Sequence, residues 1–93
     1  MNIVEVPGTD RGEVFLYALS TCVWCKKTKA LLNELGVAYR YVDVDLVPAA
    51  EQGEVLAQVA RWNPQRNFPT LVINQARTIV GFKPDEIKEA LER

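Results

Sequence analysis

Ninety-three residues suffice for one small domain and are too few for two. A hydrophobic share of 48% beside a charged share of 25% excludes a disordered chain, and a net charge of −1 argues against a nucleic-acid or anionic-membrane partner. No apolar run approaches the roughly 18 residues a membrane helix needs, and "MNIVEVPGTDRGE" lacks the basic region and apolar core of a secretory signal; the expected location is the cytoplasm, where structural disulfides rarely persist.

The reading gives one domain over 1–93, with 1–11 as an N-terminal extension outside the main plan, where "NIVEV" forms a short strand or packs on an edge. "GEVFLYAL" (Gly12 to Leu19) is nearly continuous apolar and β-branched or aromatic, the pattern of a strand buried on both faces. Ser20 and Thr21 follow as candidate helix caps. From Val23 the composition turns helical, with Cys25, Thr28, Leu32 and Leu35 on one face and Gly36 as the stop. "VAYRYVDVD" (Val37 to Asp45) reads as a second strand. "PAAEQGEVLAQVARW" (Pro48 to Trp62) reads as a helix with Val55, Val59 and Trp62 inward. "NPQRNFP" is a loop, and "TLVIN" and "RTIVGF" are antiparallel strands joined by "QA". "KPDEIKEALER" closes the chain as a helix with Pro84 at its first position and Ile87, Ala90 and Leu91 inward. The first two strands, joined through a helix, should be parallel with a right-handed crossover, which yields a four-stranded mixed α/β sheet flanked by about three helices.

The chain holds two cysteines, Cys22 and Cys25, and no histidine. A structural zinc site takes four Cys or His ligands, so one chain cannot complete it. Cys22 falls between a buried strand and a helix start, where unpaired N–H groups and the positive end of the dipole favour a thiolate. Lys26 and Lys27 add positive charge one turn on and are read as tuning the thiol. Cys25 shares the face of Leu32 and Leu35 and should be the more buried thiol. The two sulfurs are neighbours around the first turn, within bonding reach of each other. A CxxC pair after a buried strand in a βαβ pattern is the signature of disulfide exchange, with Cys22 attacking and Cys25 resolving. Trp24 is expected half-exposed in a docking surface. Lys29 reads as a solvated helix residue, Trp62 as core or loop packing, and Tyr17, Tyr39 and Tyr41 as packing on strands.

Three motifs, "YALSTCVWCKKTKALL", "NFPTLVI" and "VGFKPDEI", resemble the glutaredoxins of the thioredoxin-like superfamily and cover about Gly12 to Leu91. Three linked motifs are far more specific than one CxxC. The resemblance implies a thioredoxin-like (glutaredoxin) fold and thiol–disulfide oxidoreductase activity. It makes Pro69 a cis-proline facing the cysteines, with Phe68 able to pair with a bound peptide as an added strand and Thr70 beside it. The implied substrate contacts are Val23, Trp24, Arg66, Phe68, Pro69, Thr70, Gly81 and Phe82. Glutathione-using members usually carry lysine three residues before the first cysteine, and Gly-Gly followed by aspartate later; here those places hold Leu19, Val80 and Pro84. Arg66 matches a basic position common in the family. "GFKP" and "CVWC" are similar to the "GFRP" and "CVQC" of NrdH-type redoxins, which have a glutaredoxin fold, are reduced by thioredoxin-reductase-type enzymes and serve ribonucleotide reductase. Trp24 stands where those carry glutamine. The resemblance thus implies a monomeric NrdH-like protein-disulfide reductase with no resident cofactor beyond the Cys22–Cys25 redox disulfide, glutathione being disfavoured. The alternatives are a glutathione-dependent glutaredoxin or a dimer carrying an iron–sulfur cluster.

Overall fold

The computed structural model describes residues 2–92. In chain order it comprises β1 (Val4–Val6), β2 (Val14–Ala18), α1 (Val23–Leu35), β3 (Tyr39–Asp43), a 3-10 turn (Val44–Leu46), α2 (Ala49–Trp62), β4 (Thr70–Ile73), β5 (Arg77–Val80) and α3 (Pro84–Leu91). The sheet order is β1-β3-β2-β4-β5. β2 and β3 are parallel, as their helical crossover requires; β1 on β3, β4 on β2 and β5 on β4 are antiparallel.

Alternation along the central strand sorts the core into two layers. Val14, Leu16 and Ala18 join Cys25, Leu31 and Leu32 of α1 and Ile87 and Leu91 of α3 on one face. Tyr17 joins Val55 and Val59 of α2 on the other, with Phe15 packed against them. Both faces of β2 are therefore covered, which is why its sequence reads as almost continuously apolar. α1 stops where Gly36 adopts φ 69°, a left-handed conformation that glycine takes without a Cβ penalty. α3 begins at Pro84, whose fixed φ and missing N–H suit a first helical position.

Three expectations change. The sheet has five strands rather than four. The fifth strand is the strand alternative for "NIVEV": Val4 to Val6 pair with Tyr39 to Tyr41, and the Thr9 N–H donates to Gly36 O at 2.8 Å. The β4–β5 turn takes Asn74 as well as Gln75 and Ala76. Asn74 and Gln75 hold φ of 55° and 51°, and Ala76 N–H donates to Ile73 O at 3.1 Å, so the chain reverses one residue earlier. Finally, α1 is capped neither by Ser20 nor by Thr21: Cys22 is the N-cap residue.

Candidate active site

The path from β2 into α1 sets the two cysteines apart. Cys22 sits in extended backbone at φ −81° and ψ 118°, and its Sγ accepts from the Cys25 N–H at 3.2 Å. A sulfur here does what a serine or aspartate oxygen does at ordinary caps, satisfying one of the helix's open N–H groups. No carboxylate lies in that first turn. Cys22 is half-buried and Cys25 fully buried, and both are free thiols. Burial pushes the Cys25 thiol up to about 12, aided by its side-chain hydrogen bond with Cys22; a backbone hydrogen bond at Leu19 and the Lys29 ammonium oppose the rise.

Ser20, read as a cap, instead anchors the approach to Cys22. Its N–H donates to Asp45 Oδ1 at 2.8 Å and its hydroxyl donates to Asp45 Oδ2. These hydrogen bonds hold the Asp45 carboxyl below the usual carboxylate range. The 3-10 turn after β3 thus fixes the loop that presents Cys22.

Across from the helix start, the Phe68–Pro69 bond is cis, the geometry the resemblance implied for Pro69. Pro69 is buried, and its carbonyl accepts from the Gly81 N–H at 2.8 Å. That bond ties the proline turn to the residue after β5, where φ is 84°. Trp24, Phe68, Gly81 and Phe82 line a shallow groove of about 270 Å³. Trp24 is 55% exposed and stacks on Phe82 with ring centroids 6.0 Å apart. A larger concavity of about 400 Å³, between the β1 end and the start of β2, is lined by neither cysteine.

Other sequence-assigned contacts lie elsewhere. Val23 is 61% exposed and does not line the groove. Arg66 is exposed in the loop, with φ 56°, and does not line it either. Thr70 is fully buried. Its hydroxyl donates to Asn67 O at 2.6 Å and accepts from Asn63 Nδ2 at 3.2 Å. That side chain holds the loop together and is closed to a substrate, so its assignment as a contact is corrected. Lys26 is exposed, and Lys27 Nζ lies 5.0 Å from the Trp24 ring centroid. Lys29 is the cation that acts on Cys25. It is not a solvated helix residue: Nζ pairs with Asp43 Oδ1 at 2.8 Å and sits 4.1 Å from the Tyr41 ring centroid.

Ser20, Asp45, Asn63, Lys29 and Asp43 are the parts that sequence reasoning missed. Only Lys29 had a signal, its i, i+4 spacing from Cys25 on the buried face of α1. The others are polar residues at strand and helix ends, where pattern carries no information about partners.

The glutaredoxin family model matches residues 14–77. A relative in Clostridium pasteurianum, an uncharacterized glutaredoxin-like 8.6 kDa protein in a rubredoxin operon, is 31% identical over 78 residues, 84% of this chain and 96% of its own length. The chain spans between 53% and 58% of the length of the plant glutaredoxins it matches. The crystal structure of Methanosarcina acetivorans methanoredoxin is similar at TM-score 0.89 and 52% identity, covering 92% of this chain and 90% of that one. NrdH-redoxin from Escherichia coli, a glutaredoxin-like protein with a thioredoxin-like activity profile, is similar at TM-score 0.64 and 27% identity, covering 83% and 92%. The architecture is the thioredoxin-like fold in its glutaredoxin form, with a fifth strand on the β3 edge.

Proposed function

The chain belongs to the glutaredoxin family and is a thiol–disulfide oxidoreductase, and from that premise we propose that it is an NrdH-like dithiol reductase of protein disulfides. Cys22 attacks one sulfur of a target disulfide. A mixed disulfide forms, and the other target sulfur leaves as a thiolate and takes up a proton. Cys25 then attacks the Cys22 sulfur. The Cys22–Cys25 bond forms, and the second target sulfur leaves and is protonated. The target gains two electrons and two protons, and the protein's dithiol becomes a disulfide. A thioredoxin-reductase-type partner returns the two electrons. Ribonucleotide reductase is the kind of target the NrdH likeness suggests, and the cytoplasm the compartment in which this exchange would run.

The observation that carries the reading is the uncharged lining of the groove beside the CxxC turn, which the Lys27 ammonium approaches only over the Trp24 ring. Glutathione offers carboxylates and an ammonium, which need charge partners when taken out of water. The groove offers Trp24, Phe68, Gly81 and Phe82, with Leu19 and Pro84 at the places where glutathione users carry lysine and aspartate. A peptide laid along Phe68 as an added strand needs backbone partners and an apolar seat, not ion pairs. The thioredoxin-like activity profile of the E. coli NrdH-redoxin supports the same direction.

The test is to supply electrons to the protein in two ways while it reduces a protein disulfide. Turnover driven by NADPH and a thioredoxin reductase should be fast, and turnover driven by glutathione with glutathione reductase slow. Saturable glutathione binding with equal turnover from both sources would contradict the reading.

A further inference from the structure

The resolving step poses an electrostatic difficulty. Cys25 is fully buried and must act as a thiolate when it attacks the mixed disulfide on Cys22. Burial without compensation opposes that ionisation. β2, β4 and α3 contribute Leu16, Ala18, Leu71, Ile87 and Leu91 to the cluster around it, and β5 contributes Ile79, none with a charge to offer. β1 contributes Val6. From β3, the Tyr39 hydroxyl is committed to Asn33 Oδ1 at 3.0 Å. On α1 itself, the groups acting electrostatically on Cys25 are Cys22 and Lys29. Once Cys22 is tied into a mixed disulfide, it no longer carries a charge, and Lys29, the weaker of the two influences and itself paired with the Asp43 carboxylate, is the one left.

The placement of Lys29 is built. It lies four residues after Cys25 on the same face of α1. Side chains in a helix lean towards its N-terminus, so a residue covers the turn before its own. Lys29 therefore lies over the Cys25 turn. Its ammonium is held by Asp43 Oδ1 at 2.8 Å, the two side chains being only 20% and 16% exposed, and by the Tyr41 ring face at 4.1 Å. The Asp45 carboxylate, in the 3-10 turn after β3, also feels the Lys29 charge, more weakly than its Ser20 hydrogen bonds. A lysine placed only for solubility would extend into water instead of lying against the sheet.

We propose that Lys29, anchored to the end of β3 by Asp43 and Tyr41, is the positive charge that favours the Cys25 thiolate in the step that releases the reduced target. Lys29 and Asp43 are positioning residues; neither touches the target. The inference rests on the cysteine roles given above. In the step itself, the S–S bond between Cys22 and the target breaks and the Cys22–Cys25 bond forms. The Cys25 proton passes to solvent and the departing sulfur takes the electron pair.

The step can be isolated on the full chain. An aryl disulfide that loads 5-thio-2-nitrobenzoate onto Cys22 releases a second coloured thiolate when Cys25 closes the ring. The rate of that second release is followed from pH 6 to 10 in wild type, Lys29→Gln, Lys29→Met and Lys29→Arg. Removing a charge near a thiol raises its ionisation point by about one unit. Thiolate falls about tenfold below that point, while each remaining thiolate attacks faster with a Brønsted slope of about 0.4–0.5, so release at neutral pH should slow about threefold to fourfold. Lys29→Gln and Lys29→Met should shift the pH profile upward, and Lys29→Arg should restore it. Lys29→Met keeps the apolar stem against Tyr41, so a lost charge is separated from lost packing. A purely structural role would lower stability and leave the profile in place. Superimposable profiles for wild type and the uncharged variants would overturn the inference alone. Failure of wild type to release the second thiolate at all would overturn the cysteine roles and the inference with them.

Discussion

At the scale of single residues, the two cysteines differ by environment rather than by chemistry. Cys22 caps a helix and is partly open, while Cys25 is buried and pushed up to about 12. Iodoacetamide at pH 8 should therefore modify Cys22 in the reduced protein and leave Cys25 intact, as read by peptide mass spectrometry. Equal labelling would contradict the assigned asymmetry. The same shift has a consequence for stability. A thiol held higher in the folded state than its unfolded value of about 8.5 binds its proton more tightly when folded. Its stabilising share is complete below about pH 8.5 and is lost as pH climbs towards the folded value of about 12. The urea midpoint of the reduced protein should fall between pH 8 and 10, and Cys25→Ser should fall less. Identical slopes would refute the shift. Leu19 makes a third case. If its place is where a glutathione carboxylate would be met, Leu19→Lys should raise glutathione-coupled turnover by about fivefold, the effect of one charge-assisted contact worth roughly 1 kcal/mol at an exposed site. No gain would mean the groove excludes glutathione for another reason.

At the scale of elements, much was readable because the forces are local. The near-continuous apolar run in "VFLYA", Pro84 at a helix start and Gly36 at a helix stop each carry their own mechanism. The site was half-readable for the same reason. Cys22 and Cys25 announce themselves by spacing, and Phe68–Pro69 by resemblance. Thr70 was misread because nothing in "NFPT" says which way a hydroxyl turns; only the buried Asn63 amide, 5% exposed, explains why it faces inward. Lys29 was misread because a lysine in a run of lysines looks solvated until Asp43, on another element, is seen to hold it. The N-terminal segment was undervalued because its partner is distant in sequence. It crosses α1's end so closely that a Cβ on Gly8 would lie 2.6 Å from Gly36 O and 2.6 Å from the Val37 carbonyl carbon. Those are backbone atoms that cannot swing aside. Gly8→Ala should cost about 1–3 kcal/mol by forced displacement, measured by urea unfolding. An unchanged midpoint would show that the segment is loosely held.

At the scale of the whole molecule, the sheet is a platform on which three separate chain segments meet at one end. The β2–α1 turn brings the cysteines, the loop before β4 brings Phe68 and Pro69, and the residues after β5 bring Gly81 and Phe82. The Gly81–Pro69 hydrogen bond ties the second and third segments together, and the Ser20–Asp45 hydrogen bonds tie the first to the 3-10 turn after β3. The Lys29–Asp43 ion pair separately ties α1 to the end of β3. None of the described helices is long and apolar enough to cross a membrane. Disulfide exchange by this molecule depends on unequal cysteines acting in sequence, and one measurement tests that directly. A single-turnover reaction of the reduced protein with a disulfide-containing protein is quenched and mapped by mass spectrometry, in wild type and in Cys25→Ser. Wild type should end with a Cys22–Cys25 disulfide and one equivalent of reduced target. Cys25→Ser should stop at a mixed disulfide through Cys22. Complete reduction of the target by Cys25→Ser, with no trapped species on Cys22, would contradict the account.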